Sequence, residues 1–225
     1  MKERLDEQTI ALRAAKDLQD DWYVNLGFGM PTLVSNFVPE GRAIFFQAEN
    51  GLLGYGPIAT PEEANELGWR YVDGGAQPVL PAPGIAVSDY AEAFDMIRGG
   101  HLDLVILGGL QVSERGDLAN WRLPTYTGWG GTIGGALDLA ACTKRVFVTM
   151  THTEKDNNPK IVKECTYALT AKECVDLIFT DLAVIEVRDS RLVLKEKAPS
   201  WTVEEIQALT EPKLIVAEDL KDIEL

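Results

Sequence analysis

Phe45-Phe46-Gln47-Ala48-Glu49-Asn50-Gly51-Leu52-Leu53-Gly54-Tyr55-Gly56-Pro57 is the stretch on which the fold of this chain turns. Ala43 to Ala48 is a short apolar run, long enough for one buried strand. A single carboxylate, Glu49, follows directly, and Gly51, Gly54, Gly56 and Pro57 fall within the next eight positions. Glycine and proline at that density predict a sharp turn and an open loop with few side chains. A carboxylate at the end of a buried strand, facing such a loop, is costly to desolvate unless something uses it. Alone, the stretch reads more simply as a strand–loop junction with an exposed Glu49. Its surroundings change that weighting.

Upstream, Leu5 to Leu18 has the spacing of an amphipathic helix, with Leu5, Ile10, Ala14 and Leu18 near one face. Trp22 to Leu26 is a strand candidate. Gly27-Phe28-Gly29-Met30-Pro31 then turns into a helix over Thr32 to Val38, with proline in its first turn. Downstream, Thr60 to Pro83 reads as irregular, because Pro61, Gly68, Gly74, Gly75, Pro78, Pro81 and Pro83 interrupt any long element. Ser88 can cap a helix running through Arg98, which Gly99, Gly100 and His101 close. Leu104 to Leu107 predicts a strand ending in Gly108-Gly109. A second glycine-rich loop, Gly128 to Gly135, precedes a helix reaching about Cys142.

Val146 to Met150 predicts a buried strand, and Leu177 to Thr180, Ala183 to Val187 and Leu192 to Leu194 three short ones, the last two as a hairpin around Asp189-Ser190. Thr170-Ala171-Lys172-Glu173 and Thr202-Val203-Glu204-Glu205 both have capping-box spacing. Strands alternating with helices predict an α/β fold, an open and largely parallel sheet flanked by helices, in one domain over residues 1–225. Such sheets bind ligands at the carboxyl ends of strands, where Glu49, Gly109 and the loop before Gly134 fall.

The 225 residues are 46% hydrophobic and 25% charged, as in an ordinary globular protein. A formal net charge of -14 argues against nucleic acid or an anionic membrane as partner, though local amides and a few cations can still hold a phosphorylated small ligand. No apolar run approaches a membrane span, and Met1 to Glu7 lacks the apolar core of a signal peptide. Cys142, Cys165 and Cys174 are odd in number and form no paired metal spacing, which suits reduced thiols in a cytoplasm, and Cys165 and Cys174 read most simply as core residues.

For Gly134 and Gly135, tight helix–sheet packing and amides that stabilise an oxyanion are equally good readings. His152, with no second histidine at metal spacing, is read as a satisfied hydrogen-bonding residue. No serine lies in a nucleophile elbow. Asn120 can hold a ligand carbonyl or amide, with Trp121 as an apolar wall or as plain core.

Several ordered motifs together resemble the beta subunit of family I coenzyme A transferases, particularly the 3-oxoacid (acetoacetate) type. They are "VNLGFGMPTLVSNFVP" (24–39), "AENGLLGYGP" (48–57), "FDMIRGGHLDLVILGGLQV" (94–112), "GDLANW" (116–121), "GGALDL" (134–139), "PKIVKECTYALT" (159–170) and "TDLAV" (180–184). The resemblance implies that Glu49 is the nucleophile and that the amide of Gly134 or Gly135 holds the thioester oxygen. It also implies a separate alpha subunit, giving a heterodimer or a dimer of heterodimers. Acyl-CoA and a short-chain carboxylic acid would be the substrates, with no metal or redox cofactor. Asn50, Gly51, Gly54, Gly56, Gly29, Gly109, Gln111 and Asn120 are then the candidates for substrate and CoA binding.

The Pro124–Gly134 loop is longer than the usual form and lacks its Gly-Lys-Met start, and residues 68–77 lack a lysine present in some mitochondrial-type relatives. The acid is therefore open among acetoacetate, butyrate, glutaconate and 3-oxoadipate. The Tyr126–Ile133 loop, with Trp129, is expected to trim the acyl pocket. A ligand-sensing domain and a thioester hydrolase are the competing functions.

Overall fold

Asp6 starts the first helix by accepting a 2.8 Å hydrogen bond from the Thr9 N–H, and α1 runs Glu7–Ala15. The computed structural model describes residues 2–123 and 131–224. Strand β1 (Tyr23–Leu26) follows, and then Met30–Phe37 winds as a 3-10 helix rather than the α-helix expected at Thr32–Val38. The Thr32 and Ser35 hydroxyls each donate to the carbonyl three residues back, in keeping with the tighter winding.

The central hairpin is β2 (Phe45–Gln47) and β3 (Leu52–Ile58), paired antiparallel. The sharp turn expected after Glu49 is there: the Gly51 N–H donates to Ala48 O at 3.0 Å, so Glu49 and Asn50 are the central residues of a β-turn. The open loop expected beyond it is not. Gly54, Gly56 and Pro57 lie within β3, where Gly54, at φ +79°, marks a break in register with both neighbouring strands.

Residues 60–83 are also more regular than expected. Helix α2 (Pro61–Leu67) has a full Thr60/Glu63 capping box, proline at its first position and left-handed Gly68 at its end. Pro61 and Gly68 delimit a helix; they do not prevent one. Strand β4 (Val79–Val87) carries Pro81 and Pro83, tolerated because β4 is an edge strand. In α3 (Tyr90–Arg98) the cap is Asp89, not Ser88. Next come β5 (Leu104–Gly108), β6 (Gln111–Ser113), β7 (Leu118–Ala119), α4 (Ala136–Cys142), β8 (Val146–Thr149), β9 (Ile161–Val162) and β10 (Leu177–Phe179).

The chain ends with β11 (Ala183–Arg188), β12 (Arg191–Lys197), α5 (Val203–Ala208) and β13 (Leu214–Asp222). Asp189 and Ser190, both at positive φ, turn β11 into β12 as expected. Thr202 caps α5 through a full capping box, whereas Thr170 caps nothing. The segment after Thr170 is bonded laterally instead, Ala171 bridging to Leu118 and the Glu173 N–H donating to Asp117.

Among the described residues, ten strands form one sheet in the order β13-β12-β11-β10-β8-β5-β1-β2-β3-β4. Its centre, β10-β8-β5-β1-β2, is parallel throughout, and antiparallel pairs occur on both sides. Alternate central side chains feed two cores. Val24, Leu26, Leu104, Ile106, Phe147 and Phe179 pack with α1, while Val105, Leu107, Val146, Val148 and Ile178 pack with residues of α3, α4 and α5. A small sheet, β7-β6-β9, adds Val112, Leu118 and Ile161 to the second core. No helix among the described residues is long and apolar enough to cross a membrane.

Candidate active site

Strand β1 lies between β2 and β5, and the chain leaves it for β2 on one side before returning through α3 to β5 on the other. Such a reversal opens a crevice at the strands' carboxyl ends. A cavity of about 340 Å³ occupies it, lined among others by Asn25, Phe28, Glu49, Gly109, Asn120 and Gly135.

Glu49 is half-buried there. Burial pushes its carboxyl above the usual glutamate range; the nearby Gly135 N–H opposes this, and the Asp138 charge adds to it. The fit to Gly135 leaves no room for a side chain. A Cβ added at Gly135 would stand 2.2 Å from Glu49 Oε2 and 3.0 Å from the Phe94 ring. At Gly134 it would stand 3.8 Å from Oε1. The carboxylate therefore meets two successive residues of backbone at the start of α4 without side-chain obstruction.

Two buried carboxamides underlie the strand that leads to Glu49. Asn25 and Gln47 are register partners on β1 and β2; Asn25 Nδ2 donates to Gln47 Oε1 at 2.7 Å, and Gln47 Nε2 donates to Ala93 O at 3.3 Å. Ala93 O can only accept, so this chain fixes both amide orientations and leaves Asn25 Oδ1, on a cavity-lining residue, without a donor among the described residues. Neither residue is among those expected from the sequence. The signal that finds them is a carboxamide within an apolar strand, repeated on two adjacent strands. Asp73 is likewise unforeseen, buried beside the Glu49 turn with its carboxyl raised by burial against the pull of the Gln77 and Gly75 N–H groups.

The structure gathers Glu49, Gly109, Asn120, Gly134 and Gly135 around the one cavity. Asn120 Oδ1 accepts from Thr170 Oγ1 at 2.6 Å, and Trp121 forms part of the wall while donating to Leu169 O. The other candidates lie outside the lining. Asn50 donates to the 72–73 backbone, and Gly51 is packed so tightly that a Cβ would stand 2.2 Å from Ser88 O. Gly54 and Gly56 fit β3 against β4, and Gly29 caps the 3-10 helix. Gln111 spends its carboxamide on Thr166 and Tyr167. Of the Tyr126–Ile133 loop, residues 126–130, with Trp129, lie outside the described residues; Thr132 and Ile133 line the cavity. His152 is fully buried between the Thr180 and Thr210 hydroxyls, away from the cavity.

A family model described as Coenzyme A transferase matches residues 7–209. The chain belongs to that family. It is 42% identical, over 95% of each chain, to the beta subunit of the acetate CoA-transferase of Escherichia coli (strain K12). It is 44% identical to the corresponding subunit of the 3-oxoadipate CoA-transferase of Pseudomonas putida, over 94% of this chain and 97% of that one. An acyl-CoA transferase (YdiF) apoenzyme structure from Escherichia coli O157:H7 superposes with a TM-score of 0.76 at 18% identity, over 98% of this chain. This coenzyme A transferase chain spans 44% of the length of that structure, and the likeness shows the fold.

Proposed function

We propose that this chain is the beta subunit of a CoA-transferase that moves CoA between an acyl-CoA and a short-chain carboxylate, with acetoacetate or another 3-oxoacid as the favoured acid. The observation that carries this is Glu49, a half-buried carboxylate with a raised pKa, set against the Gly135 amide at the mouth of a strand-end crevice. Exchanging CoA between two acids needs no net hydrolysis, so a carboxylate suits the task. Glu49 attacks the donor thioester, giving a mixed anhydride and CoA thiolate. The thiolate attacks the Glu49 carbonyl and releases the donor acid, leaving a glutamyl-CoA thioester. The acceptor acid reverses both steps, which is covalent, ping-pong catalysis.

Each step passes through a tetrahedral oxyanion. The Gly135 N–H is the available donor, and one preorganised donor is worth roughly 3 kcal/mol of barrier. CoA is a substrate, and the scheme needs no metal or redox cofactor. A partner alpha subunit completes the site, giving a heterodimer or a dimer of heterodimers. Phe28 on the cavity lining is 76% exposed, and Tyr90 and Leu137 nearby are also exposed, an apolar rim suited to cover by another chain. The three free cysteines suit a reducing, cytoplasmic setting.

The test is chemical. The assembled pair is incubated with acetoacetyl-CoA and treated with hydroxylamine or borohydride. The expected result is a mass change on the peptide carrying Glu49. CoA release without an acceptor acid would favour a hydrolase, and reversible binding without modification would favour a sensing domain. Steady-state assays against acetate, acetoacetate, butyrate, glutaconate and 3-oxoadipate identify the acid.

A further inference from the structure

Asn50 does not line the cavity, but the segment it holds does. Its Nδ2 donates to two successive carbonyls, Val72 O at 2.8 Å and Asp73 O at 3.2 Å. These begin a tight turn in which the Asp73 N–H donates to Gln77 O, the Ala76 N–H donates to Asp73 O, and Val72 bridges Pro78. The buried Asp73 carboxylate accepts from the Gly75 and Gln77 N–H groups, each at 2.8 Å. Asp73 thus shapes the turn from inside, and Asn50 sets its place relative to the β2–β3 tip. Gly74 is seated against the nucleophile: a Cβ there would stand 3.5 Å from Glu49 Cγ and 3.9 Å from Cδ. At Gly75 a Cβ would stand 3.1 Å from the Phe28 ring, itself part of the cavity wall.

We propose that Asn50 is a positioning residue whose carboxamide clamps the 72–78 turn over the Glu49 side chain and so keeps water from the acylated carboxylate. The proposal rests on Glu49 being the nucleophile. Residue type matters here. One carboxamide nitrogen carries two protons for two adjacent carbonyls, whereas aspartate at position 50 would present only acceptors to them. The reaction at stake is the wasteful one: water adds to the acyl carbon of the Glu49–CoA thioester, the C–S bond breaks, CoA leaves as the thiol and the Glu49 carboxyl is regenerated.

The experiment uses the assembled complex. The glutamyl-CoA form is prepared with acetoacetyl-CoA, its mass verified on the Glu49 peptide, and its decay divided between acceptor acid and water. Asn50→Asp and Asn50→Ala are expected to lose to water roughly ten times the wild-type share, because displacement of a supporting segment by about 1 Å is enough for effects of this size. Asp73→Ala loosens the same turn from within and is expected to act in the same direction, so the test survives a poorly folded Asn50 variant. A merely structural role would lower the melting temperature and the acylated fraction while leaving the partition unchanged. Wild-type partition in the folded variants overturns the clamp alone. Absence of CoA on wild-type Glu49 overturns the nucleophile assignment, and the clamp falls with it.

Discussion

Glu49 and His152 each follow a central parallel strand, β2 and β8, and each is an ionisable group shifted by burial in the direction of its neutral form. Their surroundings differ in one respect. His152 has a partner for each ring nitrogen, Thr180 Oγ1 at 3.0 Å and Thr210 Oγ1 at 2.9 Å, and no exposed surface. Glu49 is half-buried, faces an open cavity and lies against the backbone of Gly134 and Gly135, which offer no side chain. Burial alone therefore does not mark a working group. What sets Glu49 apart is bonding capacity left open at a cavity, and the same difference separates Asn120 from Gln111.

The sharpest way to break the comparison is to delete its two ends. Glu49→Ala is expected to lower kcat by roughly four orders of magnitude or more, the scale seen when a covalent nucleophile is removed. Assembly with the partner should be unaffected, which gel filtration of the pair checks. Gly135→Ala should come next. Its Cβ would stand 2.2 Å from Glu49 Oε2, so the carboxylate or the start of α4 has to move. If Glu49 and the Gly135 N–H have the proposed roles, a loss of roughly 100-fold in kcat is expected from displacing either. Gly134→Ala leaves 3.8 Å to Oε1 and should cost less despite its positive φ. Equal losses in the two variants would mean that backbone strain, not access to the carboxylate, sets the effect.

These contrasts also show what was legible in the chain. Glu49 and its turn, β1, β5, β8 and the Asp189-Ser190 hairpin follow from local patterns of apolar period and turn residues. Helix α2 and strand β4 are hidden because proline and glycine read locally as breakers; Pro61 and Gly68 delimit a helix, Pro81 and Pro83 are tolerated on an edge, and edge position is a property of the whole sheet. Two identical capping-box spacings diverged because only Thr202 is followed by a segment free to wind, while residues 170–173 are captured laterally by β7 and Asp117. The Asn25–Gln47 pair and the Asn50 grip on residues 72–73 join segments more than twenty residues apart. No local pattern reports such pairings, although motif resemblance still pointed to Glu49 between them.

The third test concerns the satisfied group. Burial holds the His152 imidazolium back, aided by Arg4 and Lys160 against the pull of Asp181, and brings its pKa down from 6.5 to about 4. The unfolded chain therefore binds the proton that the folded chain refuses. This contribution to stability is complete above pH 6.5 and is lost as pH falls toward 4. At pH 5 the loss is about 2 kcal/mol. Urea unfolding at pH 7 and pH 5 measures it, and His152→Asn, which cannot titrate there, should show a smaller difference. An equal difference in the variant would assign the acid sensitivity to carboxylates elsewhere.

The smallest effect should come from Gln111, which motif resemblance places among the substrate contacts and whose carboxamide the structure engages at both ends. Its Oε1 accepts from the Thr166 N–H at 2.8 Å and the Tyr167 N–H at 3.1 Å, while Nε2 donates to Thr166 Oγ1 at 3.1 Å. Gln111→Ala removes those bonds, but Thr166 is exposed and water can replace part of them. The expected cost is roughly 1 kcal/mol of stability, with KM for both acid and acyl-CoA unchanged. Asn120→Ala should reverse the pattern, since that carboxamide lines the cavity: a raised KM with little change in unfolding midpoint. If Gln111→Ala instead raised KM while stability held, bonding capacity already spent in the unliganded chain would be available to substrate, and the criterion separating Glu49 from His152 would fail at its weakest point.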